Sequence, residues 1–174
     1  RTGIPITLSL VYLELARRIG LPMAGVGMPG HFLVRPTVDE MAIFVDAFHK
    51  GEILFEEDCR DRIQTLYGRG ARLYPRHLDA IGPRPFLARI LMNLKVIYLQ
   101  QQDIPRAFAA IDRILLLMPE SLLERRDRGL IHYRQGQLDA AREDLKYYLL
   151  NHPDAQDSFE IQQVVSQINQ TLQE

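Results

Sequence analysis

The stretch "GVGMPGHFLVRP", Gly25–Pro36, decides how the first half of the chain is read. A Pro-Gly pair, Pro29 and Gly30, drops directly into His31, and the apolar run Phe32-Leu33-Val34 follows at once. A Pro-Gly pair punctuates a turn, and a short apolar run bounded by such residues is strand grammar. "MAGVGM" and "AIFVDAF" on either side are runs of the same kind. The last two runs predict an antiparallel hairpin with its turn at Thr37–Glu40. Positions whose numbers sum to about 77 then face one another: Val34 meets Ile43, Leu33 meets Phe44, Phe32 meets Val45, and His31 meets Asp46. Opposed side chains share a face, with Cβ atoms about 4.5–5.5 Å apart. His31 and Asp46 thus become neighbours, and two readings stand. The pair satisfies two buried polar groups, or it is a base with its orienting acid, as nucleophilic catalysis requires. The same hydrogen bond serves both roles.

Upstream, "PITLSLVYLELARRIG" reads as a helix from Pro5 to Gly20. Proline suits a first turn, and Gly20 is a good stop. Leu8, Val11, Tyr12, Leu15 and Ile19 form a stripe at helical spacing, and Leu10 and Leu13 widen it. A helix this apolar is expected to be buried on most sides. Arg17 and Arg18 fall at the negative end of its dipole. Downstream, "FEEDCRDRIQTLYG" reads as an amphipathic helix ending at Gly68. "RGARLYPRHLDAIGPRP" is dense in Gly and Pro and is expected to be a linker, over 71–84. Residues 1–70 before it make one domain, and 85–174 another.

The second half carries helical pattern only, and it repeats. Pro119 and Pro153, Ala107 and Ala141, Leu116 and Leu150, and Gln101 and Gln135 are each separated by about 34 residues, the tetratricopeptide period. In the first copy Leu91, Leu94, Tyr98, Ala107, Ile111, Ile114 and Pro119 take the packing positions. In the second, Gly129, Ala141, Leu145, Tyr148 and Pro153 do so, while Arg125 and Arg128 stand where apolar residues are expected. A last helix, roughly Ser158–Leu172, has a stripe suited to capping the stack. Two repeats and a cap are short for a solenoid, so this half is expected to lean on the first. A plain helical bundle has the same periodicity.

Composition narrows the function classes. The chain has 174 residues, 47% hydrophobic and 25% charged, as in a globular protein with a sizeable core. A formal net charge of -1 gives no field aimed at nucleic acid or an anionic membrane. The single cysteine, Cys59, rules out an internal disulfide framework and fits a reducing compartment, so a cytoplasmic location is expected. Cys59 lies among acidic residues that keep its thiol protonated, and is read as a small half-buried residue. His49, His77, His132 and His152 show no metal-ligand spacing, and "GVGMPG" opens no helix as a phosphate loop would. No metal and no cofactor is expected. The run "ERRDR" mixes signs and reads as a solvated helix face. The chain opens on Arg1 in mid-pattern, which reads as a fragment of a longer protein.

The string "RTGIPITLSLVYLELARRIGLPMAGVGMPGHFLVRP", then "FVDAF", then "LARILMNLKVIYL", resembles the bacterial SirB-type family. Those proteins join a transglutaminase-like domain to tetratricopeptide repeats. The resemblance implies an α+β fold: a transglutaminase-like (cysteine-protease-like) core fragment with a small antiparallel sheet, followed by an all-α repeat domain. It also implies a helical segment before Arg1. In the wider superfamily a cysteine nucleophile heads a buried helix, and histidine and aspartate follow on adjacent strands. Carried over by position, His31 matches the histidine and Asp46 the aspartate. Gly3 matches the glycine before the cysteine, and Gly20-Leu21-Pro22 the turn closing the helix. The nucleophile's place then falls at Pro5, which has neither a nucleophilic side chain nor a backbone N–H.

Thr7 lies in the same first turn and is the candidate substitute, although an alcohol is a poor nucleophile without a well-aimed base. Two functions are therefore expected to compete. The preferred one is a non-catalytic interaction protein whose repeats hold a protein or peptide partner. The other is a hydrolase or acyltransferase that uses His31 and Asp46 with a non-cysteine nucleophile such as Thr7.

Overall fold

Five short strands form one antiparallel sheet: β1 (Met23–Val26), β2 (Leu33–Pro36), β3 (Phe44–Asp46), β4 (Glu52–Leu54) and β5 (Ala80–Ile81), in the order β4-β3-β2-β1-β5. A computed structural model describes residues 3–38 and 42–173 and divides the chain into two compact units, Arg1–Phe86 and Leu87–Glu174. The sheet belongs to the first unit, with α1 (Pro5–Arg18) and α2 (Glu56–Tyr67). Alternation along the strands sorts their side chains. Val26 faces Leu33, and Phe44 faces Leu54. These four pack with Met28, Leu78 and the α2 residues Cys59 and Ile63 into a core. α2 begins where the Phe55 amide donates to the Asp58 carboxylate (2.7 Å) and ends at Gly68, whose φ of +93° stops the helix.

The β2–β3 register differs from the expected one. Val34 pairs with Val45, not Ile43. Continued along both strands, this puts Asp46 opposite Leu33 and His31 opposite Phe48. Seven residues, 37–43, separate the end of β2 at Pro36 from the start of β3 at Phe44, more than the expected four-residue turn. Of the expected turn, Asp39 and Glu40 lie outside the described residues. A slip of two keeps every side chain on its face, whereas a slip of one would have reversed them all. His31 and Asp46 therefore still share a face, as diagonal neighbours rather than a facing pair.

Two further expectations are corrected. The inward face of α1 is Ile6, Ser9 and Ala16, and the stripe expected in the core is only partly covered: Leu8 and Tyr12 are half-buried, while Val11, Leu15 and Ile19 are exposed, Ile19 at 77%. Small residues let α1 sit close to the strands β1 and β2 that it contacts, so Ser9 and Ala16 outcompete larger apolar residues for that face. The segment 71–84 is ordered structure: it holds a 3-10 turn at Pro75–His77 and then β5, which pairs with β1 through Gly25↔Ile81 and Val26↔Ala80. Leu78 between them is buried in the core, which ties the breaker-rich stretch to the sheet.

The second unit is helical. α3 (Pro83–Gln100) leads into it, followed by α4 (Ile104–Leu117), α5 (Leu122–Arg134), α6 (Leu138–Asn151) and α7 (Ser158–Thr171). Burial repeats with the sequence. Ala107 and Ala141, Ile111 and Leu145, and Ile114 and Tyr148 are all buried at corresponding positions, while Leu116 and Leu150 are exposed at 81% and 80%. Gly129 on α5 is needed for the approach of α6: a Cβ there would lie 2.8 Å from Leu145 Cγ and 3.1 Å from Asp144 Cβ. The arginines that break the second copy's apolar pattern have polar partners. Arg128 grips buried Asp144 through Nε (2.6 Å) and Nη2 (2.8 Å), and Arg125 lies over the Tyr147 ring at 4.2 Å. Lys95 bridges Glu124 (2.7 Å) and Asp127 (2.9 Å) between α3 and α5. No helix among the described residues is long and apolar enough to cross a membrane.

Candidate functional site

The Pro-Gly pair of the opening motif is a turn: the His31 amide donates to the Met28 carbonyl at 3.2 Å. Gly30 has φ +73°, and a Cβ on it would lie 2.8 Å from the Tyr67 hydroxyl and 3.0 Å from Leu66 Cδ1. Only glycine meets both conditions, a left-handed backbone and close passage under the end of α2. The turn delivers His31 to the α2 side of the sheet.

Asp46 is the last residue of β3 and is completely buried. Its Oδ1 accepts the backbone amides of Phe48 (3.0 Å) and His49 (3.1 Å), an Asx-type turn that folds the chain back. That turn brings His49 to the other carboxylate oxygen. Oδ2 of Asp46 lies 2.8 Å from His31 Nε2 and 2.7 Å from His49 Nδ1, and it also accepts Nη1 of Arg62 from α2. The second guanidinium nitrogen, Nη2, donates to Glu52 at 2.5 Å. Burial by itself would raise the Asp46 pKa. Hydrogen bonds from His49 and His31 outweigh that and hold the carboxyl well below the usual carboxylate range, so the site is centred on a buried anion. Phe48 packs edge-on to both imidazoles, at 6.3 Å from His31 and 5.2 Å from His49.

The cluster opens into a cleft of about 290 Å³ lined by Met28, Gly30, His31, His49, Arg62, Thr65 and Leu66. Among the described residues no cysteine lines it, and the one aliphatic hydroxyl there, on Thr65, donates to the Asp61 carbonyl at 2.9 Å. Pro5 is the first residue of α1. Thr7 does not line the cleft, and its hydroxyl is engaged at the helix start, accepting the Ile4 amide (3.0 Å) and donating to the Ile4 carbonyl (2.9 Å). Cys59 is fully buried in the core rather than half-buried, and burial pushes its thiol up to about 11. A thiol held protonated is a poor nucleophile.

The structure thus brings together His31 and Asp46, leaves Thr7 apart, and adds His49 and Arg62, which the sequence reading missed. Both omissions have a visible signal. An Asp followed three residues later by His, just after a strand, is the spacing of an Asx turn that returns the side chain to the carboxylate. Arg62 directly precedes the core residue Ile63 on an amphipathic helix, where a long cationic side chain reaches the rim of the apolar face. The other histidines are elsewhere: His77 accepts the Tyr74 amide, His132 contacts Gln137, and His152 packs on Tyr148.

Comparison with known proteins agrees with this architecture. A family profile described as the transglutaminase-like superfamily matches residues 1–92, and a tetratricopeptide repeat profile matches residues 94–166. A UPF0162 protein of Xylella fastidiosa is 39% identical over 156 residues, spanning 88% of this chain and 56% of that protein. A UPF0162 protein of Pseudomonas aeruginosa is 29% identical over 169 residues, spanning 97% of this chain and 61% of that protein. The chain therefore spans a little over half the length of these relatives. F-box only protein 21 of Homo sapiens is 45% identical in an 81-residue alignment that covers 39% of this chain and 13% of that protein. Among solved structures, the C-terminal TPR-containing domain of a Plasmodium falciparum FK506-binding protein aligns with a TM-score of 0.44 and 13% identity, over 66% of this chain and 74% of that one.

Proposed function

The chain belongs to the transglutaminase-like superfamily, and from that premise we propose that it is a non-catalytic interaction protein, of SirB type, whose helical repeats hold a protein or peptide partner. One observation carries the reading: at the helix head where the superfamily resemblance places the cysteine nucleophile stands Pro5. The one thiol of the chain, Cys59, is sealed in the core on a different helix. Both facts support a reading without thiolate attack by this chain. The repeat module supports the binding half of the reading, because stacked helix pairs offer extended surfaces that other chains dock on. The net charge of -1 and the mixed-sign helix faces support a protein partner over nucleic acid or membrane. A single reduced cysteine supports a cytoplasmic setting.

The competing reading, a hydrolase or acyltransferase, is favoured by the His31–Asp46 contact of 2.8 Å beside an open cleft. The two readings separate in one experiment in the native bacterium. Chains carrying His31→Ala, or Leu116→Asp with Leu150→Asp, are compared for cellular function and for partners recovered by crosslinking. The interaction reading expects His31→Ala to retain both, and the paired leucine change to lose both while the chain stays folded. Loss of function in a folded His31→Ala chain with its partners retained overturns it in favour of catalysis.

A further inference from the structure

We propose that His31, Asp46 and His49 bind one divalent first-row transition-metal ion, with its remaining coordination positions open to the cleft. The inference goes beyond the interaction reading and stands on the geometry of the cluster alone. His31 Nε2, His49 Nδ1 and an Asp46 carboxylate oxygen all lie within 4.8 Å of one another. The two nitrogens are 2.8 and 2.7 Å from Asp46 Oδ2. Ligand atoms about 2.1 Å from one ion, at right angles, are separated by about 3 Å, so each imidazole nitrogen needs to draw back from Asp46 Oδ2 by only tenths of an ångström to admit one.

The donor set is selective. Two imidazoles and one carboxylate suit zinc, iron(II), cobalt and nickel, whereas magnesium and calcium take oxygen-rich shells. The ligands are also oriented by outer partners, as metal ligands usually are. The Phe48 and His49 amides fix Asp46 through Oδ1, and leave Oδ2 as the atom that faces both rings. His49 is placed by the same turn that Asp46 closes. The ligands come from the turn before β2, the end of β3 and the turn after it, so the sheet pre-forms the site.

Hydrogen bonding alone accounts for this arrangement less well. Both rings and a guanidinium converge on a single carboxylate oxygen, three donors where two lone pairs are available. Arg62 is the decisive residue. Its Nη1 sits on the oxygen that the ion would share, and it is a competing cation. Glu52, which holds its Nη2, gives the guanidinium a second anchor when Nη1 is displaced. Removing Arg62 should therefore strengthen metal binding, an effect that a merely structural hydrogen-bond network does not produce.

The test uses the purified full chain, stripped with a chelator and titrated with zinc by calorimetry and with cobalt(II) by visible absorption. One ion per chain is expected. His49→Ala, a change at a half-exposed side chain, should weaken binding about tenfold or more, as should His31→Gln. Arg62→Gln should tighten it severalfold, and His152→Ala, a histidine of the second unit that packs on Tyr148, should leave it unchanged. Circular dichroism confirms the fold of each variant, and His49→Gln replaces any that unfolds. No saturable binding to the wild-type chain, or binding that His49→Ala leaves unaltered, overturns the site.

Discussion

His31 Nε2 lies 2.8 Å from Asp46 Oδ2 although the two residues do not face each other in the sheet. A diagonal pair on one face is about 7–8 Å apart at the backbone, within reach of a long side chain such as imidazole. The turn at Gly30 and the Asx turn at Asp46 close that gap from both ends. Asp46 is thus a hub: it joins the turn before β2, the turn after β3 and α2 through one buried carboxylate.

Removing that carboxylate should be costly. Asp46→Ala strands the Arg62 guanidinium and both imidazoles, and frees the Phe48 and His49 amides. Losing one partner of a buried ionic network costs about 3–5 kcal/mol, and the exposure of Arg62 places this case near 3 kcal/mol. Asp46→Asn keeps an acceptor for the two amides and should cost less. Urea unfolding of the two variants measures the difference, and equal losses would show that the turn bonds contribute nothing.

Cys59 should resist modification in the native state. Its thiol is fully buried and raised to about 11, so the thiolate is scarce at neutral pH. A disulfide reagent at pH 8 should label it only at the rate of unfolding, and rapidly in urea. Fast labelling of the folded chain would contradict the packing of α2.

How much of this was legible in the sequence depends on what kind of signal each residue left. The repeat was legible because burial at Ala107, Ile111 and Ile114 recurs at Ala141, Leu145 and Tyr148, and a period survives local error. The sharing of a face by His31 and Asp46 was legible because faces depend on parity, and a two-residue register error preserves parity. Arg62 and His49 were not legible, since each reaches the site through a contact set by a turn or a helix azimuth rather than by spacing along a strand. β5 was hidden for another reason: two residues that complete a sheet edge carry no periodicity of their own.

Asp157 gives the helical unit a defined acid response. Burial pushes its pKa up, but the Tyr148 hydroxyl (2.6 Å) and Arg126 Nη1 (2.7 Å) pull it below the ordinary value. A depressed carboxyl contributes stability that is fully present above its unfolded pKa of about 3.9 and is lost as pH falls below it. Melting curves between pH 5 and about pH 2 should therefore lose less stability in Asp157→Asn than in the wild-type chain. Identical acid limbs would remove Asp157 from the account.

Gly129→Ala sets two effects against each other. Alanine gains about 1 kcal/mol of helix propensity over glycine. Its Cβ, however, meets both Cγ and Cδ2 of Leu145 at 2.8 Å, and that side chain is fully buried, with little room to swing away. Overpacking a tight core costs about 1–3 kcal/mol. The clash should win, because Asp144 Cβ at 3.1 Å blocks the other direction and holds Arg128 in place. A net loss of about 1 kcal/mol in thermal or urea unfolding is expected, and a stabilised variant would mean that α5 and α6 pack more loosely.

The orientation of α1 is tested by its own apolar residues. Composition alone puts Val11, Leu15 and Ile19 inside, whereas the structure exposes all three and buries Ile6, Ser9 and Ala16. In this chain Leu15→Lys and Ile19→Lys should change stability by no more than about 0.5 kcal/mol, as for surface positions. Ala16→Leu should cost about 1–3 kcal/mol, because the helix meets the strands at that residue. Ser9 sharpens the test. Its buried hydroxyl has no hydrogen-bond partner among the described residues, so Ser9→Ala removes an uncompensated polar group and should be neutral or stabilising by up to about 1 kcal/mol. If the helix were rotated to bury its broad stripe, the lysine substitutions would be severe and Ser9→Ala without effect. The pattern across the four variants, read by urea unfolding, fixes which side of α1 meets the sheet.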